Sequence, residues 1–154
     1  MSTNLEGPMT TTESTTEVTA ERYAEVQHFY ARQMRLLDDR DFPAFAATFT
    51  EDGEFSHTPG HAVSTRAGIV AELHEFHRRF DGDPVVRRHW FDMIVLDPAP
   101  GGALTASFYA YAITVRPGGD QVVGPSCLVR DVLVREAGQL RNRSRHVTQD
   151  RLTF

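Results

Sequence analysis

The chain has a single cysteine, Cys127, among 154 residues, so no internal disulfide framework can form and no cysteine pair is available for a structural zinc site. That usage fits a reducing compartment. Positive charge is in deficit as well: 16 Lys and Arg stand against 21 Asp and Glu, a formal net charge of −5. Nucleic acid is excluded as a partner, because phosphate binding needs a concentrated basic surface. No apolar run approaches the roughly eighteen residues of a membrane-spanning helix, and the N-terminal stretch lacks a charged-then-apolar leader pattern. A soluble, cytoplasmic protein without membrane partners is expected, with a small organic ligand or another protein as its counterpart. Nucleotide fingerprints and metal-ligand motifs are missing too, so no cofactor and no metal are expected. His57 and His61 are separated by a Pro-Gly turn, and His74 and His77, at i and i+3, form only a two-histidine pair on a charged helix face.

What is present is a globular composition, 40% hydrophobic with ten phenylalanines. Residues 1–16, rich in Ser and Thr around Gly7-Pro8, read as a disordered tail, and 17–154 as one domain with its own core. Thr19 can cap a helix, with Val18 and Tyr23 as a hydrophobic staple; Tyr23, Val26, Tyr30, Met34 and Leu37 then recur at helical spacing. The spacing predicts a helix over 20–38, with Asp38 at its end. Asp41-Phe42-Pro43 opens a short second helix running to about Phe49. Asp52-Gly53 reads as a turn into a short strand over 54–57, followed by a loop to about Ser64 that holds His61. A third helix begins near Thr65, with Ile69, Leu73, Phe76 and Phe80 on one face, and ends at Gly82-Asp83-Pro84.

Beyond Pro84 the chain reads as strands over 85–97, 103–116, 121–136 and 139–150, separated by Gly- and Pro-rich turns. Three helices and a short strand before four long strands give an α+β order, with a curved, mainly antiparallel sheet wrapped around the helices. Such a sheet leaves a conical space between its layers, a common place for a ligand cavity.

Strand alternation sorts the side chains that face this space. His89, Phe91, Met93 and Val95 share one face of 85–97, and Arg88, Trp90, Asp92 and Ile94 the other. His89 is therefore either a satisfied core histidine or an acid–base group. Tyr109, Tyr111 and Ile113 lie opposite Phe108, Ala110 and Ala112, and either row can face inward. In 139–150, Asn142, Ser144 and His146 form one row. Arg141, Arg143 and Arg145 form the other, which reads as a solvated or subunit-contacting face, with Arg145 a carboxylate ligand if that face is inward. His57, on the Phe55 face, and the loop residue His61 are within reach of a cavity mouth. Cys127 reads as a small core residue.

The element order and the stretches Phe29-Tyr30-Ala31-Arg32-Gln33-Met34, Leu37-Asp38 and Phe49-Thr50-Glu51-Asp52-Gly53 resemble the SnoaL-like branch of the NTF2-like cone fold. Val86-Arg87-Arg88-His89-Trp90, Asp131-Val132-Leu133-Val134-Arg135 and Arg145-His146-Val147-Thr148-Gln149-Asp150 resemble tailoring proteins of aromatic polyketide pathways, of the type acting in pyran-ring formation. The resemblance spans about 20–151 and implies a cofactor-independent cyclase or dehydratase that acts on an aromatic polyketide-type intermediate in an enclosed pocket. By resemblance to scytalone dehydratase, His89 is the catalytic base and Asp38 its orienting carboxylate. Leu37 stands where that enzyme has a water-binding tyrosine. The implied aromatic wall is Tyr30, Phe49, Phe55, Phe91, Tyr109 and Tyr111, with polar contacts from His57, Arg145 and His146. Two other readings remain open: a non-catalytic binding or stereocontrol protein, and a structural subunit like the dioxygenase small chain, which Leu36-Leu37-Asp38 resembles. The fold family also implies a homodimer.

Overall fold

Helix α1 (Ala20–Asp38) begins where Thr19 can cap it: in this computed structural model, which describes Gly7, residues 17–58 and residues 60–151, the Thr19 hydroxyl accepts the Arg22 N–H at 3.1 Å. The tail expected over 1–16 lies, Gly7 apart, outside the described residues. Arg40, at φ 59°, closes the helix: its N–H reaches the Leu37 carbonyl and the Asp41 N–H that of Leu36. Asp41 then caps α2 (Phe42–Ala47) through the Ala44 N–H at 3.2 Å, with Pro43 in the first turn.

The second helix is shorter than its sequence suggests, because Phe49 already pairs with Asn142 as the start of strand β1 (Phe49–Thr58). The turn expected at Asp52-Gly53 is instead an irregularity inside that strand, and Gly53 serves a close approach, since a Cβ there would stand 2.9 Å from the Phe49 Cβ. The expected loop after Gly60 forms a short strand, β2 (His61–Ser64), antiparallel to β1. Helix α3 (Arg66–His77) is capped by Thr65 and runs into a 3₁₀ turn over Arg78–Phe80.

The remaining strands are β3 (Val86–Pro98), β4 (Leu104–Val115), β5 (Gln121–Val123), β6 (Cys127–Glu136) and β7 (Gln139–Gln149). The sheet order is β2-β1-β7-β6-β4-β3, with β5 also on β4, and only β1 and β7 pair in parallel. The stretch expected as one strand over 121–136 is two, both laid along β4: β5 opposite 113–115 and β6 opposite 104–110. The break is at Gly124, whose N–H donates to the Ala112 carbonyl at 2.7 Å; a Cβ on Gly124 would sit 3.0 Å from that same oxygen. Backbone cannot yield as a side-chain tip does. Gly124→Ala is therefore expected to lower stability by about 1–3 kcal/mol, read as a lower denaturant midpoint. An unchanged midpoint would mean that the loop shifts freely.

Two bulges correct the simple alternation. In β3, Asp92 pairs with Tyr109 but Val95 with Ser107, so one residue is extra, and Met93 takes it up at φ 57°. The row His89–Phe91 continues inward through Ile94 and Leu96, while Met93 is 68% exposed and Val95 also faces out. In β7, Ser144 pairs with Val132 and Asn142 with Leu133, leaving Arg143 unpaired. The slip turns Arg145 inward, to 3% exposure, beside buried Asn142, and leaves Arg143 and His146 outside. On β4 the inward row is Phe108 and Ala110, with Tyr109 at 61% exposure on the outer face.

The core has two parts. One packs Val26 and Tyr30 of α1 on Leu104, Phe108, Val129 and Leu133 of the sheet. The other packs Leu37, Phe45, Phe49 and Phe55 against Ile69 and Leu73. Phe91 touches both. No described helix is long and apolar enough to cross a membrane.

Candidate active site

Above Phe91, between the curled sheet and the ends of α1, α2 and α3, lies a cavity of about 210 Å³. Phe45, Phe55, Phe76 and Phe91 give it aromatic walls, and the small side chains of Ala110 and Ala112 leave it room. His57, His77, Arg87, His89 and Arg145 converge on it. A larger groove of about 710 Å³ runs outside, between α1 and β3, past Gln27, Arg35, Asp39 and Arg88. Polar and apolar groups share the walls of that groove, which also borders Asp38 and the far side of His89, whereas the cavity is mainly apolar with a few convergent polar groups, as ligand sites are.

His89 enters the cavity wall from β3, and Asp38 meets it from the last residue of α1. The His89 Nδ1 lies 2.7 Å from Asp38 Oδ1, which also accepts the His89 backbone N–H at 3.2 Å. An ionised carboxylate only accepts, so Nδ1 carries the proton and Nε2 keeps its lone pair. Asp38 is 9% exposed, which keeps water from competing for the contact.

His77 is a neighbour that sequence reasoning missed. Its Nδ1–H donates to the Leu73 carbonyl at 2.8 Å, and the rings of Phe42, Phe76 and Phe80 pack around it. Burial, followed by the Arg87, Arg40 and His89 charges, pushes its pKa down to about 4. The signal was the stripe Ile69, Leu73, His77 at spacing four, all buried. An unfolded histidine binds its proton near pH 6.5 while the folded one stays neutral, so this stabilisation is complete above pH 6.5 and lost as pH falls toward 4. Its size is on the order of 2–3 kcal/mol. His77→Gln is expected to lose less stability than the parent protein between pH 7 and pH 4.5 in urea titrations. Equal losses would remove His77 as the cause.

On the opposite wall, Glu72 of α3 binds both His57 Nε2 at 2.8 Å and His61 Nε2 at 2.9 Å. Burial alone would raise the Glu72 carboxyl, but the two histidine hydrogen bonds outweigh it and hold it below the ordinary carboxylate value. His57 stacks on Phe55 at the cavity edge, and His61 is exposed. Among the described residues no group of three or more His, Cys, Asp and Glu side chains is placed to hold a metal ion.

Arg145 belongs to a buried network. Its Nε and Nη2 donate to the two Asp131 oxygens at 2.9 and 2.7 Å, and Nη2 also donates to Gln33 Oε1 at 2.7 Å. Burial opposes its charge, but Asp131 more than restores it and holds the guanidinium above its usual range. Three of five N–H groups are consumed, so only those of Nη1 remain for a ligand. The Tyr30 hydroxyl donates to Asp131 Oδ2 at 2.8 Å; burial, then the Asp131 charge, raise its pKa well above the usual phenol range.

The expected contacts thus divide. Phe55, His57, Phe91, Tyr111 and Arg145 border the cavity with His89; Tyr111 stacks on Trp90 at its rim, with ring planes 4° apart. Tyr30 and Phe49 lie in the packed core, and Tyr109 and His146 lie on the outer face of the sheet. Cys127 borders the cavity, with its thiol raised by burial and by Asp150, unlike a nucleophile. Arg87, unremarked in the sequence as a site residue, stands two positions before His89 on the same inward row; burial and the Arg79 charge push it down from its ordinary range, against the pull of Asp38.

The SnoaL-like domain family matches residues 18–146. No curated protein matches. Among solved structures, ActVI-ORFA from Streptomyces coelicolor is 53% identical, with 88% of this chain and 99% of that one covered at a TM-score of 0.82. Aln2 from another Streptomyces species is 41% identical, covering 86% and 93% at 0.81. A Catenulispora acidiphila protein solved in complex with S-DNPA is 50% identical, covering 84% and 93% at 0.77.

Proposed function

We propose that this chain, which belongs to the SnoaL-like domain family, is a cofactor-independent cyclase or dehydratase acting on an aromatic polyketide-type intermediate. Its architecture is the NTF2-like cone. The observation that carries the reading is the 2.7 Å contact between His89 Nδ1 and Asp38 Oδ1 in the wall of an aromatic cavity. Likeness to ActVI-ORFA and Aln2, and the small molecule held by the Catenulispora relative, support it.

In this reading His89 Nε2 takes a proton from the carbon beside a substrate carbonyl, and Asp38 stabilises the imidazolium that results. The imidazolium then returns the proton to the departing hydroxyl, which leaves as water; in a cyclisation the same proton shuttles between the attacking hydroxyl and the accepting oxygen. Phe55, Phe76 and Phe91 shield a flat substrate from water while this happens. The direct test presents the purified protein with a naphthalene-type hydroxy-ketone and follows loss of water or ring closure. Binding without acceleration would leave a carrier or stereocontrol protein in place of an enzyme.

For the homodimer implied by the fold family, the outer sheet offers Trp90, Met93, Val95 and Tyr109, all exposed. Trp90→Glu is expected to give a monomer by light scattering; an unchanged dimer would place the contact elsewhere.

A further inference from the structure

Arg87 stands apart from the other charged groups of the cavity. Asp131 compensates Arg145, Asp38 holds His89, Glu72 holds His57, and His77 is neutral against the Leu73 carbonyl. Arg87 takes part in none of the ion pairs among the described residues, and its Nε and Nη1 are buried without a hydrogen-bond partner. Its guanidinium lies 5.0 Å from the centre of the Phe80 ring and 5.5 Å from that of Phe76, which shelter it from water. The other charges that act on it are Arg79 and Arg40, both cations, and Asp38, whose Oδ1 is engaged by His89 and which makes no ion pair with Arg87.

A desolvated cation without a counter-charge is costly, and the cost falls when a ligand brings the missing anion. We infer that Arg87 receives an anionic oxygen of the ligand, so that the cavity takes flat aromatic molecules carrying an acidic group rather than neutral ones. The group is a carboxylate or an ionised phenol or enolate, which present the same acceptor chemistry to a guanidinium. Strand geometry sets Arg87 and His89 about 6.6 Å apart along the wall. The acidic oxygen is therefore anchored one side-chain spacing from the atom that His89 addresses. The inference rests on the reading of this space as the ligand site.

Calorimetric binding separates the two. The probes are 2-naphthylacetate against 2-naphthylacetamide, and 2,4-dinitro-1-naphtholate against its methyl ether. The parent protein is expected to bind at least one anion about ten-fold or more tightly than its neutral counterpart. Arg87→Met is expected to abolish that ratio while keeping the affinity for the neutral probe within about two-fold, and Arg87→Lys to retain part of it. A preference confined to the acetate pair means a carboxylate-bearing ligand; one confined to the naphtholate pair means charge on a ring or enolate oxygen. Equal binding of anion and neutral probe by the parent protein, or a ratio that survives in Arg87→Met, overturns the role of Arg87 and leaves the cavity reading intact. If no probe binds the parent protein, the cavity reading falls and the inference with it. Should Arg87→Met not fold, the ratios of the parent protein and Arg87→Lys decide the matter.

Discussion

Turnover of a hydroxy-ketone by His89→Ala is expected to fall by about 10²–10⁴-fold, the contribution of a positioned general base. The substitution removes a largely buried ring, 18% exposed, at the cavity wall, so circular dichroism checks that the fold is kept, and affinity for an inert aromatic probe should change little. Asp38→Asn makes the sharper variant. It keeps the size of the carboxylate and an oxygen acceptor for the Nδ1 proton, but removes the negative charge that stabilises an imidazolium 2.7 Å away. Its turnover is expected to drop by about 10²-fold or more. Unchanged rates in both variants would take the pair out of the mechanism and leave the cavity as a binding site.

Asp131→Ala is expected to cost about 3–5 kcal/mol, a large share of the roughly 5–15 kcal/mol that holds an ordinary domain together. The loss has two sources: Arg145 is left as a buried charge missing both Asp131 bonds, and the Tyr30 hydroxyl loses its acceptor. Asp131→Leu combined with Arg145→Met removes both charges, and is expected to be more stable than Asp131→Ala alone because nothing ionic remains unpaired. Urea denaturation compares the three proteins. A change below about 1 kcal/mol in Asp131→Ala would mean that water or a rearranged Gln33 carries the guanidinium.

The sequence is most readable where one local rule acts alone. The bounds of α1 follow from the Thr19 cap and the spacing of Tyr23, Val26, Tyr30, Met34 and Leu37, and the hairpin turns follow from Gly and Pro. It is least readable where a single extra residue changes a face. Met93 and Arg143 carry no signature of a bulge, yet they decide that Ile94 and Arg145 point inward and Val95 and His146 outward. Phe49 reads as helical because the parallel pairing that makes it a strand lies far along the chain at Asn142. The meeting of Asp38 with His89 is similar: 51 residues separate them, and only the family resemblance joins them. Arg87 and His77 are hidden by ordinary surface chemistry, as an arginine on a strand and a histidine on a charged helix.

The parallel pairing of β1 with β7 also bears on how the protein assembles. The register joins Phe49 to Asn142 and Phe55 to Arg145, closing loops of about 90 residues in each case. Contacts so remote in the chain slow folding, because their closure entropy is lost before they contribute stability. The hairpin of β1 and β2 carries His57 and is held to the rest of the sheet by β7 alone. The wall with His89 can form early, from the local β3–β4 hairpin and α1, whereas the wall with His57 waits for the last strand. A refolding intermediate should therefore bury Trp90's neighbours on β4 before it encloses any cavity, and competence to bind should lag behind the gain of secondary structure.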